Sequence, residues 1–479
     1  MGKRVCLSVI LSFLAIAGFA QIDDYNQFRQ QILNDYNTYR TQVLDDYAKF
    51  LNTVWKDYDS FRGEVLFPDK KPKENYLAPK VDDNPQSVIP TPDKPTKPKP
   101  RPSAPIDLKP EVPSPFVDNI SFPFYTAIIK APNINVQHLE EADEKSISRL
   151  WSEYQKNSIY SKISASLQQV RLAYNLNDWL TYVLVRMYSD AIYANDANSS
   201  LVLSHYILVN MGYNVRLGKN SNNRILLLVP FMQNIYGRPF LNINGKRYYI
   251  FFENTGRADD NSIGAVYTCD LPQDAYLGKS INLVLENPQF PNNGYTEYNR
   301  SYGTMTLKGR IPNVDIQIGR DYPQTDVPVY AASSLSAEFR KDLLGQVAAQ
   351  IQGLSEYNAV SKILDFIQHA FKYKTDWDQF GYEKSFFVEE NFCYPDNDCE
   401  DRAILMAFLV RGLLHLDVHL LYYPGHEATA IRFSDQSTKG DGYIYQNSKY
   451  IICDPTYVGA GVGQCMPEYE NVKPTVELW

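Results

Sequence analysis

Aromatic and aliphatic residues recur every 11 positions along residues 24–66. Eleven residues make three turns at about 3.67 residues per turn, so the apolar positions stay on one face of a helix. The pattern predicts an amphipathic helix that either packs against the rest of the chain or self-associates as a coiled coil. Its three columns are Tyr25, Tyr36, Tyr47 and Tyr58; Phe28, Tyr39, Phe50 and Phe61; and Ile32, Val43, Val54 and Val65.

From residue 119 onward, the hydrophobic pattern changes repeatedly between helical and strand periodicity. Helical spacing is found in residues 140–160, 177–193, 201–212 and 335–374. Short β-prone runs between turn residues are found in 224–230, 247–253, 280–285, 303–311 and 314–318. Helices followed by hairpin-like strands predict an α+β fold.

The chain of 479 residues is too long for one ordinary domain. A dense run of prolines after residue 67 favours an extended spacer over helix or sheet. The predicted divisions are a signal peptide at 1–20, the repeat helix at 21–67, the proline-rich linker at 68–118, a first α+β module at 119–265, a β-rich segment at 266–332 and a second α+β domain at 333–479.

The two globular parts resemble each other in sequence. Residues 199–217 follow the apolar pattern of residues 402–420, an alignment that sets Asp196 opposite Cys399. Residues 240–254 similarly resemble residues 444–457. Duplication and chance similarity both account for this. If the chain is duplicated, the first copy lacks the nucleophile and a matching histidine, and we expect it to be a catalytically inactive module.

The first 20 residues have the pattern of a secretory signal, with Lys3 and Arg4 before an apolar run that ends at Ala20. No later run is long and apolar enough for a membrane span, so we predict none after signal removal. We expect an exported protein, periplasmic or extracellular, which residues 24–66 either anchor at the cell envelope or join to another copy. Loss of Cys6 with the signal leaves an odd number of cysteines, so at least one thiol is unpaired within a monomer.

Charge and spacing exclude some classes of partner. The formal net charge is -8 and the basic residues form no long block, which argues against nucleic acid. The chain has no C-x-x-C or H-E-x-x-H spacing, so we predict no metal and no cofactor. A zinc site that uses Cys393, Cys399, Cys453 and a histidine is the alternative.

Cys399 lies at the predicted start of a helix in the segment NDCEDRA. There Asp398 can cap the helix, and Asp401 can reach back in a capping box. The unpaired N–H groups and the helix dipole at such a position stabilise a thiolate, and they can also bind an oxyanion. The alternative for Cys399 is a disulfide with Cys393.

His426 and Asp454 have contexts that suit the partners of such a thiol. His426 follows a Pro-Gly turn and begins a predicted strand, whereas Asp454 ends another strand at Pro455. A carboxylate that faces the strand of His426 can fix the tautomer of the imidazole. The order Cys, His, Asp therefore predicts a site for nucleophilic acyl transfer.

The motifs NDCEDRA, PGHEATA and KYIICDPTY resemble the Cys, His and Asp motifs of the transglutaminase-like superfamily, which has a papain-related fold. The resemblance covers about residues 335–465. It implies a helix bearing Cys399 packed on an antiparallel sheet, with Cys399 as nucleophile, His426 as general base and acid, and Asp454 as the residue that orients His426. Asn391 and Trp377 are candidates for a side-chain oxyanion donor.

We therefore expect an exported cysteine-dependent enzyme that acts on amide bonds of a protein or peptide substrate. Hydrolysis is favoured over crosslinking, because nothing in the sequence marks a site that accepts lysine. The alternative is a non-enzymatic envelope scaffold or binding protein built from transglutaminase-like modules.

Overall fold

The computed structural model describes residues 119–252, 263–268 and 278–479, together with the backbone of residues 62 and 63. The predicted signal at 1–20, the linker at 68–118 and Cys269 lie outside the described residues, as does nearly all of the predicted repeat helix. The two described residues of that helix, Arg62–Gly63, form strand β1, so the helix prediction is wrong at this point. Gly63 is a poor helix former, and the pair instead adds to the edge of a sheet.

The first unit of the fold, residues 119–268, contains a hairpin, four helices and a sheet. The hairpin strands are β2 (Asn119–Phe124) and β3 (Ala127–Pro132). The helices are α1 (Glu144–Lys156), α2 (Ser158–Ala173), α3 (Asp178–Tyr193) and α4 (Ala197–Asn210). The remaining strands are β4 (Arg216–Asn220), β5 (Ile225–Val229), β6 (Phe240–Ile243), β7 (Lys246–Phe251) and β8 (Val266–Tyr267).

The second unit, residues 295–479, begins with the hairpin β9 (Tyr295–Tyr302) and β10 (Met305–Pro312). Its helices are α5 (Asn313–Asp321), α6 (Val327–Ala332), α7 (Ala337–Ile351), α8 (Glu356–Ala370), α9 (Asp376–Phe380), α10 (Glu390–Cys393) and α11 (Cys399–Leu414). Its other strands are β11 (Lys372–Tyr373), β12 (Asp396–Asn397), β13 (Asp417–Tyr423), β14 (His426–Arg432), β15 (Gly442–Tyr445), β16 (Ser448–Cys453) and β17 (Thr475–Glu477).

Both units are α+β, as the sequence predicts, and their sheets have the same topology. In each unit a buried helix is followed by four antiparallel strands, in the spatial order β4-β5-β7-β6 in the first and β13-β14-β16-β15 in the second. In each unit the N-terminal hairpin packs against two long helices, namely α2 and α3 in the first and α7 and α8 in the second, where it also contacts α5 and α10. The similarity between the units therefore includes the N-terminal hairpin as well as the helix and its four strands.

Although strand pairing sets Arg216 of β4 opposite His419 of β13, one position further along, α4, β5, β6 and β7 correspond to α11, β14, β15 and β16 at a single sequence offset. This offset sets Ala197, Arg224 and Phe252 opposite Cys399, His426 and Asp454. The alignment of Asp196 with Cys399 is therefore wrong by one position, because Asp196 caps α4 just as Asp398 caps α11. The units differ most before this helix, where residues 194–196 form the connection in the first and residues 371–398 in the second.

The segment 266–332 is not uniformly rich in strands. Residues 314–318, predicted as a strand, lie in helix α5, and within 280–285 only isolated bridges form. Val314 and Ile318 are both buried and stand four residues apart, so a helix places both on the same face. The segment therefore forms a helix, although its apolar and polar residues alternate as in a strand. A single hydrophobic core extends from β2 in the first unit to β16 in the second.

Within the residues that the structure describes, no helix combines the length and apolar character needed to cross a membrane.

Two glycines allow the loop after Asp454 to approach the loop before β15. A Cβ on Gly440, whose φ is +135°, would lie 2.4 Å from the Cα of Gly463. We expect Gly440→Ala to lower the free energy of unfolding by about 2 kcal/mol or more, because it adds both strain and a backbone clash. Urea unfolding measures this. Gly461→Ala is the control, since its Cβ would meet only Gln464 Oε1 at 3.4 Å; equal losses in the two variants would contradict the prediction.

Asp315 on α5 is buried, and burial together with the nearby Glu389 carboxylate raises the pKa of Asp315 to about 8. The folded-state pKa thus exceeds that of the unfolded chain, so protonation stabilises the fold fully at low pH and this stabilisation is lost as the pH rises through 8. We expect Asp315→Asn to raise Tm at pH 8–9 and to lose that advantage near pH 4–5. Asp321→Asn on the same helix is the control, and a difference from wild type that does not vary with pH would contradict the assignment.

Candidate active site

Cys399 is the first residue of α11, and its side chain is fully buried. The structure contains the capping box that the sequence predicts, in which Asp398 caps the helix and the backbone N–H of Asp398 donates to Asp401 Oδ2 at 3.3 Å. Cys393 and Cys399 are both thiols here, as are the other described cysteines, so the structure contains no disulfide between them. Cys399 therefore lies where a helix dipole favours its ionised form.

A hydrogen bond joins His426 to Asp454. His426 begins β14 and Asp454 follows β16, and these two strands are neighbours in the sheet. The imidazole Nε2 and Asp454 Oδ2 are 2.8 Å apart, and both side chains are buried. We assign the donor of this pair to Nε2, because a carboxylate accepts, and Nδ1 is then the ring nitrogen that Asp454 does not contact.

The second oxygen of Asp454 fixes the carboxylate. Asp454 Oδ1 accepts hydrogen bonds from the backbone N–H groups of Thr456 at 2.9 Å and Tyr457 at 3.2 Å. This turn is held in place by Gln368 on α8, which donates from Nε2 to the carbonyl of Asp454 at 3.0 Å. The orientation of the carboxylate is thus set by the backbone, as a residue that must orient a histidine requires.

Helix α11 packs on strand β14, which brings Cys399 and His426 onto adjoining elements. Of the three predicted residues, the structure joins His426 and Asp454 by a hydrogen bond and places the Cys399 thiol against Glu400. The thiol donates to Glu400 Oε2 at 3.4 Å. The site thus contains a helix-terminal thiol and an oriented imidazole, which are the two reacting groups of nucleophilic acyl transfer.

Two further residues support the pair and were not identified from the sequence. The ring of Tyr469 stacks on the imidazole of His426, with centroids 5.2 Å apart and 12° between the planes. Arg402 on α11 is buried and donates to Asn397 Oδ1 at 2.8 Å and to the carbonyl of Phe371 at 2.9 Å. An arginine within an otherwise apolar helix was the available signal for Arg402, whereas nothing local marked Tyr469.

The two candidate oxyanion donors have different surroundings. Asn391 is fully buried, where its Oδ1 accepts from Asn397 at 2.8 Å and its Nδ2 donates to the carbonyl of Phe387 at 3.4 Å. Its amide therefore joins Phe387 and Asn397 within the connection that precedes α11. Trp377 on α9 is 46% exposed. The backbone N–H groups of the first turn of α11 are further candidate donors for an oxyanion, because such groups have no acceptor within the helix.

Five buried carboxylates surround the start of α11: Asp376, Glu383, Asp398, Glu400 and Asp401. Burial first, and then the neighbouring carboxylates, raise the pKa of Asp398 and Asp401 well above their usual range. Two groups within this set have the spacing of metal ligands, namely Asp376 with Glu383 and Glu400, and Asp376 with Asp398 and Asp401. The sequence analysis predicted no metal ligands, because the carboxylates come from separate segments and have no diagnostic spacing.

The corresponding position in the first unit has different chemistry. The guanidinium of Arg224 lies over the ring of Phe252, 3.8 Å from its centroid. These two residues occupy the places of His426 and Asp454, and Ala197 occupies the place of Cys399. A cation on an aromatic face stabilises the packing but offers neither a nucleophile nor a base.

A scan against protein-family models matched none, and searches among curated proteins and solved structures found no significant similarity. The role of the site rests on its residues and their geometry.

The proton shared by His426 and Asp454 offers a direct test of this geometry. We expect the ¹H NMR spectrum to contain a strongly deshielded N–H resonance from His426 Nε2, because a buried carboxylate accepts that proton at short distance. The resonance should disappear in His426→Ala and in Asp454→Ala. The control is His419→Gln, which removes a different buried histidine of the same sheet. A resonance that survives Asp454→Ala and is lost in the control would contradict the assignment.

Proposed function

We propose that the chain is a cysteine-dependent acyl-transfer enzyme whose second unit is a transglutaminase-like domain of papain-related fold. The observation that carries the proposal is the buried 2.8 Å hydrogen bond between His426 Nε2 and Asp454 Oδ2 beside the helix that Cys399 begins. Burying an imidazole costs free energy unless both of its ring nitrogens have partners. Asp454 is the partner of Nε2, and in the proposed reaction the Cys399 thiol is the partner of Nδ1. The three sequence motifs that resemble the superfamily support the same roles.

The chemistry proposed is formation and hydrolysis of a thioester. The Cys399 thiol transfers its proton to His426 Nδ1, and the sulfur attacks the carbonyl carbon of an amide. His426 returns the proton to the amide nitrogen, the C–N bond breaks, the amine leaves and an acyl-thioester remains on Cys399. Water then attacks the thioester with His426 as base, which releases the carboxylic acid and restores the thiol.

The start of α11 stabilises the charge that develops in these steps. The N–H groups of the first helical turn have no acceptor further along the helix, and the helix dipole is positive at the end where Cys399 lies. They lower the energy of both the thiolate and the tetrahedral oxyanion. Asp454 accepts from His426 Nε2, which leaves Nδ1 to take up the proton of the thiol.

The substrate class that we propose is an amide bond of an exported protein or peptide. The N-terminal signal pattern supports export, and its position supports a periplasmic or extracellular site of action. Because the Cys399 side chain is fully buried, an amide carbonyl reaches it only when the protein opens locally. Hydrolysis is favoured over crosslinking, because no feature of the described site marks a pocket for a lysine acceptor.

The first unit favours a second role beside catalysis. Its Ala197, Arg224 and Phe252 replace all three reacting residues on the same scaffold, which supports duplication followed by loss of the site. We assign to it a packing or binding function, because it shares one hydrophobic core with the second unit. A protein in which both units served only as binding modules is the alternative to the enzyme.

Labelling with a peptide-based thiol electrophile that mimics an amide tests the proposal. We expect Cys399 to be the labelled residue, Cys399→Ala to abolish labelling, and Asp454→Asn to slow it at least about tenfold, because the imidazole loses its orienting charge. Peptide mass spectrometry identifies the site. Cys393→Ala is the matched control, because Cys393 is a partly exposed thiol near the same helix. Equal labelling of Cys399→Ala and wild type would support the binding-module alternative and exclude the enzyme.

A further inference from the structure

A cavity of about 310 Å³ lies at the end of the second sheet where β13 begins and β14 ends. Two arginines line it, Arg411 from the C-terminal part of α11 and Arg432 from the end of β14. Arg411 stands about 18 Å along α11 from Cys399, since a helix rises about 1.5 Å per residue. The cavity is therefore separate from the candidate active site, and its size suits a small organic molecule.

Both guanidinium groups have N–H donors to offer to the cavity. Among the described residues, Arg411 lies over the ring of Trp479, 4.5 Å from its centroid, and donates no hydrogen bond to a protein acceptor. Arg432 Nη2 is 3.9 Å from Asp417 Oδ2, which is too long for a hydrogen bond. A guanidinium presents its donors as a rigid fork that matches the two oxygens of a carboxylate.

His419 on β13 adds a buried polar atom to the same lining. Its side chain is 4% exposed, and its ring stacks on Tyr450 with the centroids 4.0 Å apart. The Nδ1 atom is 2.7 Å from the Tyr443 hydroxyl, whereas Nε2 has no hydrogen-bond partner among the described residues. A buried imidazole nitrogen without a partner costs free energy. With the Tyr443 hydroxyl assigned as donor to Nδ1, Nε2 carries the proton and donates to a ligand in the cavity.

The charges of the lining side chains favour a ligand with a single negative charge. Arg411 and Arg432 bring two positive charges to the cavity, and Asp417 brings one negative charge. Asp417 Oδ2 accepts from the Tyr450 hydroxyl at 2.6 Å, which holds this carboxylate against the sheet. Burial lowers the pKa of His419, so its ring adds no charge near neutral pH. One positive charge is left for the ligand to neutralise.

We propose that this cavity binds a small organic molecule through a carboxylate group. The carboxylate accepts from the guanidinium groups of Arg411 and Arg432 and from Nε2 of His419. The organic part of the ligand lies against Tyr445 and against Leu478, an apolar side chain that is 52% exposed. Polar contacts at one end and apolar contacts at the other fix the orientation of such a ligand.

Two other classes of ligand fit this cavity less well. An organic cation needs a free aromatic face, and Arg411 already lies over the ring of Trp479. A doubly charged phosphate monoester carries more negative charge than the lining side chains neutralise, and Asp417 repels it.

Ligand-observed NMR titration of the full chain with sodium benzoate tests binding. We expect saturable binding with Kd below about 5 mM, and at least about tenfold weaker binding of benzamide, which has the same ring without the charge. Arg411→Gln and Arg432→Gln should each weaken benzoate binding at least about tenfold. The matched control is Arg310→Gln, because Arg310 also lies over an aromatic ring and pairs loosely with one carboxylate. Equal affinities in the three variants, or equal binding of benzoate and benzamide, overturn the site.

Two further measurements locate the bound benzoate. Ser448→Phe keeps both arginines but places a ring in the cavity, so binding should be lost while Tm is unchanged. The N–H resonance of His419 Nε2, assigned by its loss in His419→Gln, should shift as benzoate saturates the protein. Cys399→Ala should bind benzoate as wild type does. Full binding in Ser448→Phe, an unmoved His419 resonance or loss of binding in Cys399→Ala overturns the location, and none of these results bears on the labelling of Cys399.

Further probes distinguish the sources of the carboxylate and the classes of ligand. N-acetylphenylalanine represents the C-terminus of a peptide and glucuronate represents an acidic sugar, with N-acetylphenylalanine amide and glucose as their neutral partners. Tighter binding of either acid than of its neutral partner supports the site and identifies the source. Failure of benzoate and of both acids to bind at about 20 mM overturns the site. Tighter binding of tetramethylammonium or phenyl phosphate than of benzoate overturns the carboxylate assignment.

Discussion

The buried guanidinium of Arg402 connects the three segments on which the candidate site depends. It belongs to α11, and it contacts Asn397 just before that helix, the carbonyl of Phe371 at the start of the long connection, and the carbonyl of Pro455 beside Asp454. Burial lowers the pKa of Arg402, but the guanidinium stays charged and directs its donors at these acceptors. Each acceptor would in turn be left unsatisfied without the arginine. One cation thereby fixes the relative positions of the thiol-bearing helix and the carboxylate turn.

Local rules were enough to predict the ends of elements and the residues placed there. A Cys after an Asp cap, a His after a Pro-Gly turn and an Asp before Pro455 all follow from turn and cap chemistry, and the structure has each at that position. The partners of these residues come from far along the chain. Gln368 holds the carbonyl of Asp454 from 86 positions away, and no local pattern encodes such a contact. The carboxylate set around Asp376 escaped prediction for the same reason.

The pattern of apolar residues gave the wrong element where it fits both a strand and a helix. In residues 314–318, alternate apolar positions fit a strand, yet the pair Val314 and Ile318 equally fits one face of a helix, and tertiary burial selected the helix. The internal similarity was visible in the sequence, and its register holds at β4 and β13 but is off by one at the start of the helix. Only the cap residues Asp196 and Asp398, which are recognised from backbone geometry, set the correct alignment.

The two units share one scaffold but differ in the residues at the candidate site. Both keep the buried helix, the strand order and the aspartate cap, so these features serve the fold. Within the described residues, the second unit alone has an imidazole at the place of His426, and it alone has the long connection at residues 371–398. In the first unit Arg224 and Phe252 fill the same space with a stacked pair. The candidate reacting residues thus lie at positions where the same fold accepts other side chains.

The order of residues along the chain has a consequence for biosynthesis. Cys399 leaves the ribosome before His426, and Asp454 follows only after two further strands. Because β16 must pair with β14 before Asp454 can meet the imidazole, the nascent chain carries its thiol for some time without an oriented base. Under the proposed function, the thiol thus gains its oriented base only after the strands around it have been made and paired. The C-terminal position of Asp454 thus delays assembly of the candidate site until the sheet has formed.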